Sequence, residues 1–221
     1  FGDGTTVTIN APDSPDVTHL YANDGTFDVV LTVTDVEGCE SSVTKQVIVV
    51  NSPIADFTYD ESCYNEPVIF TDISTTNSGT DIQSWYWDFG DPASGTNNTS
   101  NLQNPSHVFT SPGTYTTTLI IVSTFGCSDT TTKDVEVEEL PFAEIGMLDD
   151  SICLGELAEF TGTGSDISTW YWEFGDGGTS IEQNPSYMYA QTGIYIVSLT
   201  VTGTGTDQCT YTTDTTITVN D

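Results

Sequence analysis

Acidic side chains gather at two matching places in this sequence. Asp81, Asp88 and Asp91 lie around the run Trp85-Tyr86-Trp87, and Asp166, Glu173 and Asp176 lie around Trp170-Tyr171-Trp172. Hard cations such as calcium take about six to eight oxygens, many from carboxylates on loops between strands, so these residues are candidate cation ligands. A simpler role is open to Asp91 and Asp176: each follows a glycine, where an aspartate caps a tight turn by accepting from backbone N–H groups. His19 and His107 invite a hydrolytic reading, since a histidine base held by a carboxylate activates a nucleophile. Both, however, occupy one position of a repeated pattern in which the third copy has Tyr187, so a base is missing there and no enzymatic activity is expected. Paired carboxylates abound without any apolar pocket signal that would raise a pKa.

The elements that position these residues come in copies. Phe-Gly-Asp stands at Phe1–Asp3, Phe89–Asp91 and Phe174–Asp176, and each is followed by a matching start, Gly25-Thr26-Phe27, Gly113-Thr114-Tyr115 or Gly193-Ile194-Tyr195. Self-similarity of this kind marks a tandem array. Residues 1–50 read as the back half of one unit, and 53–139 and 141–221 as two whole units, so the chain looks like a segment cut from a longer protein. Phe27, Val29, Leu31 and Val33, like Tyr195, Val197, Leu199 and Val201, alternate with other residues at period two, which predicts half-buried strands. Short strands between turn clusters such as Ser111-Pro112-Gly113 give an all-β sandwich of about seven strands per unit, with no helix. Alternation sends Trp85 and Trp87, or Trp170 and Trp172, to the core face and Tyr86 or Tyr171 to the other. The linkers Asn51-Ser52-Pro53 and Glu138-Glu139-Leu140-Pro141 are short and stiffened by proline, which predicts a semi-rigid rod.

Charge and cysteine narrow the partners. The 221 residues carry 33 Asp and Glu against Lys45 and Lys133 alone, a formal net charge of −31. A chain so short of Lys and Arg has no means of binding phosphate backbones, which excludes nucleic acid. The acids otherwise keep a long surface array soluble, and Glu138, Glu139, Asp56, Asp60, Asp149 and Asp150 are secondary cation candidates at the junctions. No apolar run reaches the ~18 residues of a membrane helix, so no membrane insertion is expected in this segment. Each whole unit has one early cysteine, Cys63 or Cys153, and one in the turn after its long strand, Cys127 or Cys209. Without the short spacing of a zinc or redox motif, this recurrence predicts structural disulfides, Cys63–Cys127 and Cys153–Cys209, and an oxidising extracytoplasmic compartment. Cys39 sits at the late position of the first unit, and its expected partner lies outside the chain.

Trp85-Tyr86-Trp87-Asp88-Phe89-Gly90-Asp91, then Asn104-Pro105-Ser106-His107-Val108-Phe109 and Gly113-Thr114-Tyr115, resembles the PKD (polycystic kidney disease) domain, an immunoglobulin-like sandwich marked by Trp-x-Phe-Gly-Asp. The third unit matches through Trp172-Glu173-Phe174-Gly175-Asp176-Gly177 and Gly193-Ile194-Tyr195. Pro92 after Asp91, Tyr187 in the place of histidine, and the absent front strands of the first unit are departures. The Gly-Cys turn further resembles PKD repeats in large secreted proteins of Bacteroidota, including gliding-motility adhesins. The resemblance implies a structural, adhesive or spacer role at the cell surface or in the medium. The neighbouring repeats, a surface polysaccharide or another surface protein would be its partners. The alternative it implies is an accessory carbohydrate- or protein-binding module of a secreted hydrolase. It also implies calcium at Asp81 and Asp166 by position, and O-glycan acceptors at Thr130, Ser151 and Thr215, each next to an aspartate.

Overall fold

A computed structural model describes residues 1–11, 13–76 and 80–221. The chain divides into two compact units, residues 1–56, 73–86 and 119–131 in one and 57–72, 87–118 and 132–221 in the other.

The first unit contains the hairpin of β1 (Gly25–Thr34) and β2 (Glu40–Val49), paired antiparallel from Gly25↔Val49 to Thr34↔Glu40. The β-branched alternation seen in the sequence makes these strands, but Val30, Leu31, Val33, Val43 and Ile48 are more than half exposed. An aromatic ladder steadies the hairpin at its base, with Phe1 on His19, His19 against Tyr21, and Tyr21 on Phe27. The same unit holds the bridge Ile54↔Thr75, and the Asp129 carboxylate accepts from Ala55 N at 2.8 Å.

The later strands are β3 (Phe57–Tyr59), β4 (Ser62–Cys63), β5 (Val68–Asp72), β6 (Ile82–Asp88), β7 (Thr99–Ser100), β8 (Ser106–His107), β9 (Gly113–Ser123) and β10 (Ser128–Glu138). The next copy supplies β11 (Phe142–Met147), β12 (Ser151–Cys153), β13 (Ala158–Ser165), β14 (Ile167–Glu173), β15 (Thr179–Ser180), β16 (Ser186–Tyr187), β17 (Gly193–Gly203) and β18 (Thr210–Asn220). The sheets repeat one plan: β4-β10-β9-β6-β7 with β3-β5-β8, then β12-β18-β17-β14-β15 with β11-β13-β16. This is the all-β tandem sandwich expected from the period-two runs. A 3₁₀ segment, Pro92–Asn98, is an addition to the expected plan, and it begins at the proline that breaks Gly-Asp-Gly.

Between the sheets lie the tryptophans. Trp87 and Trp172 are fully buried, and their indole N–H groups donate to Leu102 O at 2.9 Å and Glu182 O at 2.8 Å. Phe57, Phe70 and Phe89 pack their rings around Trp87 or one another, and Phe160 and Phe174 do so with Trp172. Lys133 crosses the Phe57 ring at 5.2 Å and donates to Phe57 O, so one of two lysines serves the fold.

Candidate functional site

Each Phe-Gly-Asp turn is built the same way from the backbone up. Gly2, Gly90 and Gly175 have φ of 88°, 73° and 85°, where side chains other than glycine's are strained. The fit against the neighbouring strand is equally exacting: a Cβ on Gly90 or Gly175 would lie 2.5 Å from Thr116 O or Ile196 O. The preceding Phe then stacks on the ring at the His/Tyr position, at 4.4 Å for Phe89–His107 and 3.9 Å for Phe174–Tyr187. The ladder continues through Phe109 to Tyr115 and through Tyr189 to Tyr195. Tyr115 and Tyr195 fix the corner by donating to Ser111 O at 2.8 Å and Gln191 O at 2.9 Å.

The aspartate ends the turn in all three copies with different partners. Asp3 accepts from Thr5 N and Oγ1 and meets His19 Nε2 at 2.6 Å. Thr5's hydroxyl, then its N–H, then His19 hold the Asp3 carboxyl well below the usual carboxylate range. Asp91, nearly fully buried, meets His107 Nε2 at 3.2 Å and accepts from Thr110 N at 3.0 Å and Thr110 Oγ1 at 2.6 Å. Burial pushes the Asp91 carboxyl up, and the bonds from Thr110 and His107 more than offset it, leaving a net downward shift. Asp176 accepts from Gly178 N at 3.0 Å and from the Tyr187 hydroxyl at 2.9 Å. Burial first, then that carboxylate, pushes the Tyr187 phenol up, and the same order of causes pushes Tyr189 up.

This arrangement holds a turn. His19 Nε2 meets the Asp3 carboxylate at 2.6 Å and the Thr5 hydroxyl at 3.3 Å, and His107 Nε2 meets the Asp91 carboxylate at 3.2 Å. The cation candidates are likewise occupied or apart. Asp88 accepts from Gly90 N and Asn98 Nδ2, both at 2.9 Å. Asp81 and Asp166 accept through their backbone carbonyls, from Thr124 N and Thr204 N, and Glu173 is exposed at the end of β14. Among the described residues no three of His, Cys, Asp and Glu are gathered to hold a metal ion. Of the glycan candidates, Thr130 is exposed, Thr215 is half-buried, and Ser151 Oγ accepts from Asn220 Nδ2 at 2.8 Å.

The cysteines overturn the expected pairing. Cys63 is bonded to Cys209, with Cα atoms 5.6 Å apart, while Cys39, Cys127 and Cys153 are free. The physical reason is strand length. β4 runs parallel to the far end of β10, with Cys63 level with Glu138, whereas Cys127 immediately precedes the start of that 11-residue strand. At about 3.3 Å per residue the two lie roughly 35 Å apart, far beyond the ~7 Å Cα limit for a disulfide. Cys153–Cys209 fails in the same way, because Cys153 is level with Asn220 and Cys209 precedes Thr210 across β18.

Glu138 fixes the same junction. Its Oε1 accepts from Thr206 N at 2.7 Å and Thr206 Oγ1 at 2.8 Å, and its Oε2 accepts from Asp207 N at 3.2 Å. Gly205 passes so close that a Cβ would collide with this carboxylate. Burial pushes the Glu138 carboxyl up, and the bonds from Thr206 and Asp207 bring it down overall, while a hydrogen bond with Asp207 pushes Glu61 up. The sequence marks Glu138 as a secondary cation candidate at a junction rather than as an acceptor from Thr206 and Asp207, and the counterpart positions hold Val50 and Asn220.

Repeated two-sheet sandwiches, each with a Trp-centred core and a Phe-Gly-Asp turn closed by an aromatic ladder, define an immunoglobulin-like tandem module. The PKD domain family model matches residues 1–50, 50–138 and 138–219, and the chain belongs to that family. Collagenase ColA of Clostridium perfringens is 39% identical over 82 residues, which are 35% of this chain and 7% of the length of that protein. Among solved structures, the PKD1 domain of Vibrio anguillarum Epp is 27% identical and covers 41% of this chain and 99% of its own, with a TM-score of 0.36. The PKD1 domain of the Vibrio cholerae metalloprotease PrtV is 28% identical over 40% of this chain and 99% of its own, with a TM-score of 0.34. Among the described residues no helix is long and apolar enough to cross a membrane.

Proposed function

We propose that this chain is a non-catalytic structural and adhesive segment of a long extracellular protein, secreted or held at the cell surface, whose PKD repeats act as spacers. The observation that carries this reading is the junction formed by Cys63–Cys209 and the Glu138 carboxylate, which ties one repeat to the next. The disulfide suits an oxidising compartment, and the acidic surface suits a long soluble array. A filament of the adhesin type, gliding-motility adhesins included, is a setting that such a segment fits. Its first partners are the neighbouring repeats.

A second reading has its own support. Tyr86 and Tyr171 are 43% and 42% exposed at matching positions, and the match to Collagenase ColA is about the length of one repeat. An accessory module of a secreted hydrolase would use such rings against polysaccharide or protein. Passing the chain over immobilised collagen, cellulose and chitin at physiological salt separates the two. A spacer is not retained; retention that Tyr86→Ala or Tyr171→Ala abolishes establishes the accessory role.

A further inference from the structure

The bonded and the free cysteines occupy matching backbone positions. β4 lies beside the end of β10 with Ser62↔Val137 and Cys63↔Glu138; β12 lies beside the end of β18 with Ile152↔Val219 and Cys153↔Asn220. Tyr64 N donates to Glu138 O at 2.8 Å, as Leu154 N does to Asn220 O; Glu66 N donates to Cys63 O, as Glu156 N does to Cys153 O. Cys153 is therefore placed as Cys63 is, and it is exposed. The turn cysteines are equally alike: Cys39, Cys127 and Cys209 accept through their carbonyls from Asp35 N, Ser123 N and Gly203 N.

One bond already shows what these two settings do. An edge cysteine, Cys63, takes the turn cysteine of the repeat that follows, Cys209, and strand length prevents either from reaching a partner in its own repeat. We infer that Cys153 is the edge half of a second bond of the same kind, its partner being the turn cysteine of a PKD repeat joined after it. By the same rule Cys39 and Cys127 take the edge cysteines of the repeats before theirs. The cysteines then form one staggered series of inter-repeat bonds, which deepens the reading of the chain as a spacer. Forming each bond removes one proton from each thiol and two electrons from the pair. A low-molecular-weight disulfide such as oxidised glutathione accepts the electrons and leaves as two thiols.

The test uses residues 1–219 followed by a second copy of residues 138–221, so that the new junction, Val219 followed by Glu138, repeats Val137-Glu138. The protein is oxidised with oxidised glutathione, its remaining thiols are alkylated, and its peptides are mapped by mass spectrometry without reduction. The expected result is Cys63–Cys209 together with Cys153 bonded to the added copy of Cys209, with Cys39, Cys127 and the added copy of Cys153 alkylated. Cys153→Ser in this chain should leave Cys63–Cys209 intact and free the added turn cysteine. Alkylated Cys153 beside an intact Cys63–Cys209, or Cys153 bonded to Cys209 of its own repeat or to another molecule, overturns the inference. None of these outcomes bears on whether the chain binds collagen or polysaccharide, so the spacer reading stands or falls separately.

Discussion

The second and third repeats satisfy the same buried carbonyl with different donors. Phe174 O accepts from the Tyr189 hydroxyl at 3.1 Å, and Val197, with no donor in its side chain, packs in the strand beyond. In the second repeat the ladder residue is Phe109, which has no hydroxyl, and Thr117 at the position of Val197 donates to Phe89 O at 3.2 Å instead. The first repeat follows the third, with Tyr21 donating to Phe1 O at 3.0 Å. A buried acceptor left without a donor costs about 1–3 kcal/mol, so the substitutions come as pairs: Phe109 with Thr117, Tyr189 with Val197. What repeats is the satisfied hydrogen bond rather than the residue. The turn aspartate obeys the same logic, closing on an imidazole and Thr110 in one repeat and on a phenol and Gly178 in the other.

The largest effect should come from removing what couples these two repeats. Cys63–Cys209 spans 146 residues of sequence, and in the chain-entropy model closing such a loop stabilises by about 5 kcal/mol. Cys209→Ser should lower and split the calorimetric transition; an unchanged endotherm would show that the bond contributes nothing. Next, Asp91→Asn strands the buried His107 and Thr110 amide and should cost about 3 kcal/mol, whereas Asp176→Asn, in a more open turn, should cost about 1 kcal/mol. Hydrogen exchange read repeat by repeat measures both, and equal losses would erase the contrast.

The two turns should also fail at opposite ends of the pH scale. The folded Asp91 carboxyl titrates below its ordinary value of about 3.9. Its stabilisation is therefore complete above that pH and fades as the pH falls through the folded value. Tyr187 and Tyr189 titrate above the ordinary value of about 10. Their contribution is present below that pH and is lost as alkali rises through the folded values. Hydrogen exchange should find the Asp91 turn opening first in acid and the Tyr187 turn first in alkali, and Asp91→Asn should flatten the acid limb.

A smaller effect tests the paired substitution itself. Thr117→Val alone should cost about 1–2 kcal/mol, and adding Phe109→Tyr should recover most of it, giving a coupling energy near 1 kcal/mol in a double-mutant cycle. Simple additivity would sever the two positions. The smallest effect is expected from calcium. Since the Asp88, Asp91 and Asp176 carboxylates already accept from N–H and O–H donors, chelation should leave the melting temperature within about 1 °C; a fall of several degrees would return them to a cation.

Much of the fold was legible because it follows from local rules. Period-two alternation places Val197, Leu199 and Val201 in the core, all three fully buried, and a glycine-flanked aspartate announces a capped turn. Tyr86 and Tyr171 face outward because their tryptophan neighbours face inward. The disulfide was not legible from recurrence alone, which says that two cysteines share a repeat but not that a full-length strand separates them. Counting the residues between Cys127 and the end of β10 would have exposed the conflict. Glu138 left still less signal: its role depends on a close approach of Gly205 and Thr206, which lie far away in sequence, and the other repeats place Val50 and Asn220 there.

The staggered bond has a consequence for damage. The linker Glu138-Glu139-Leu140-Pro141 lies inside the segment that Cys63 and Cys209 close. A protease that cuts the linker therefore leaves both products attached, held by sulfur where the peptide has been severed. Under oxidising conditions the chain can be nicked there without being shortened, and only a reductant would release the pieces.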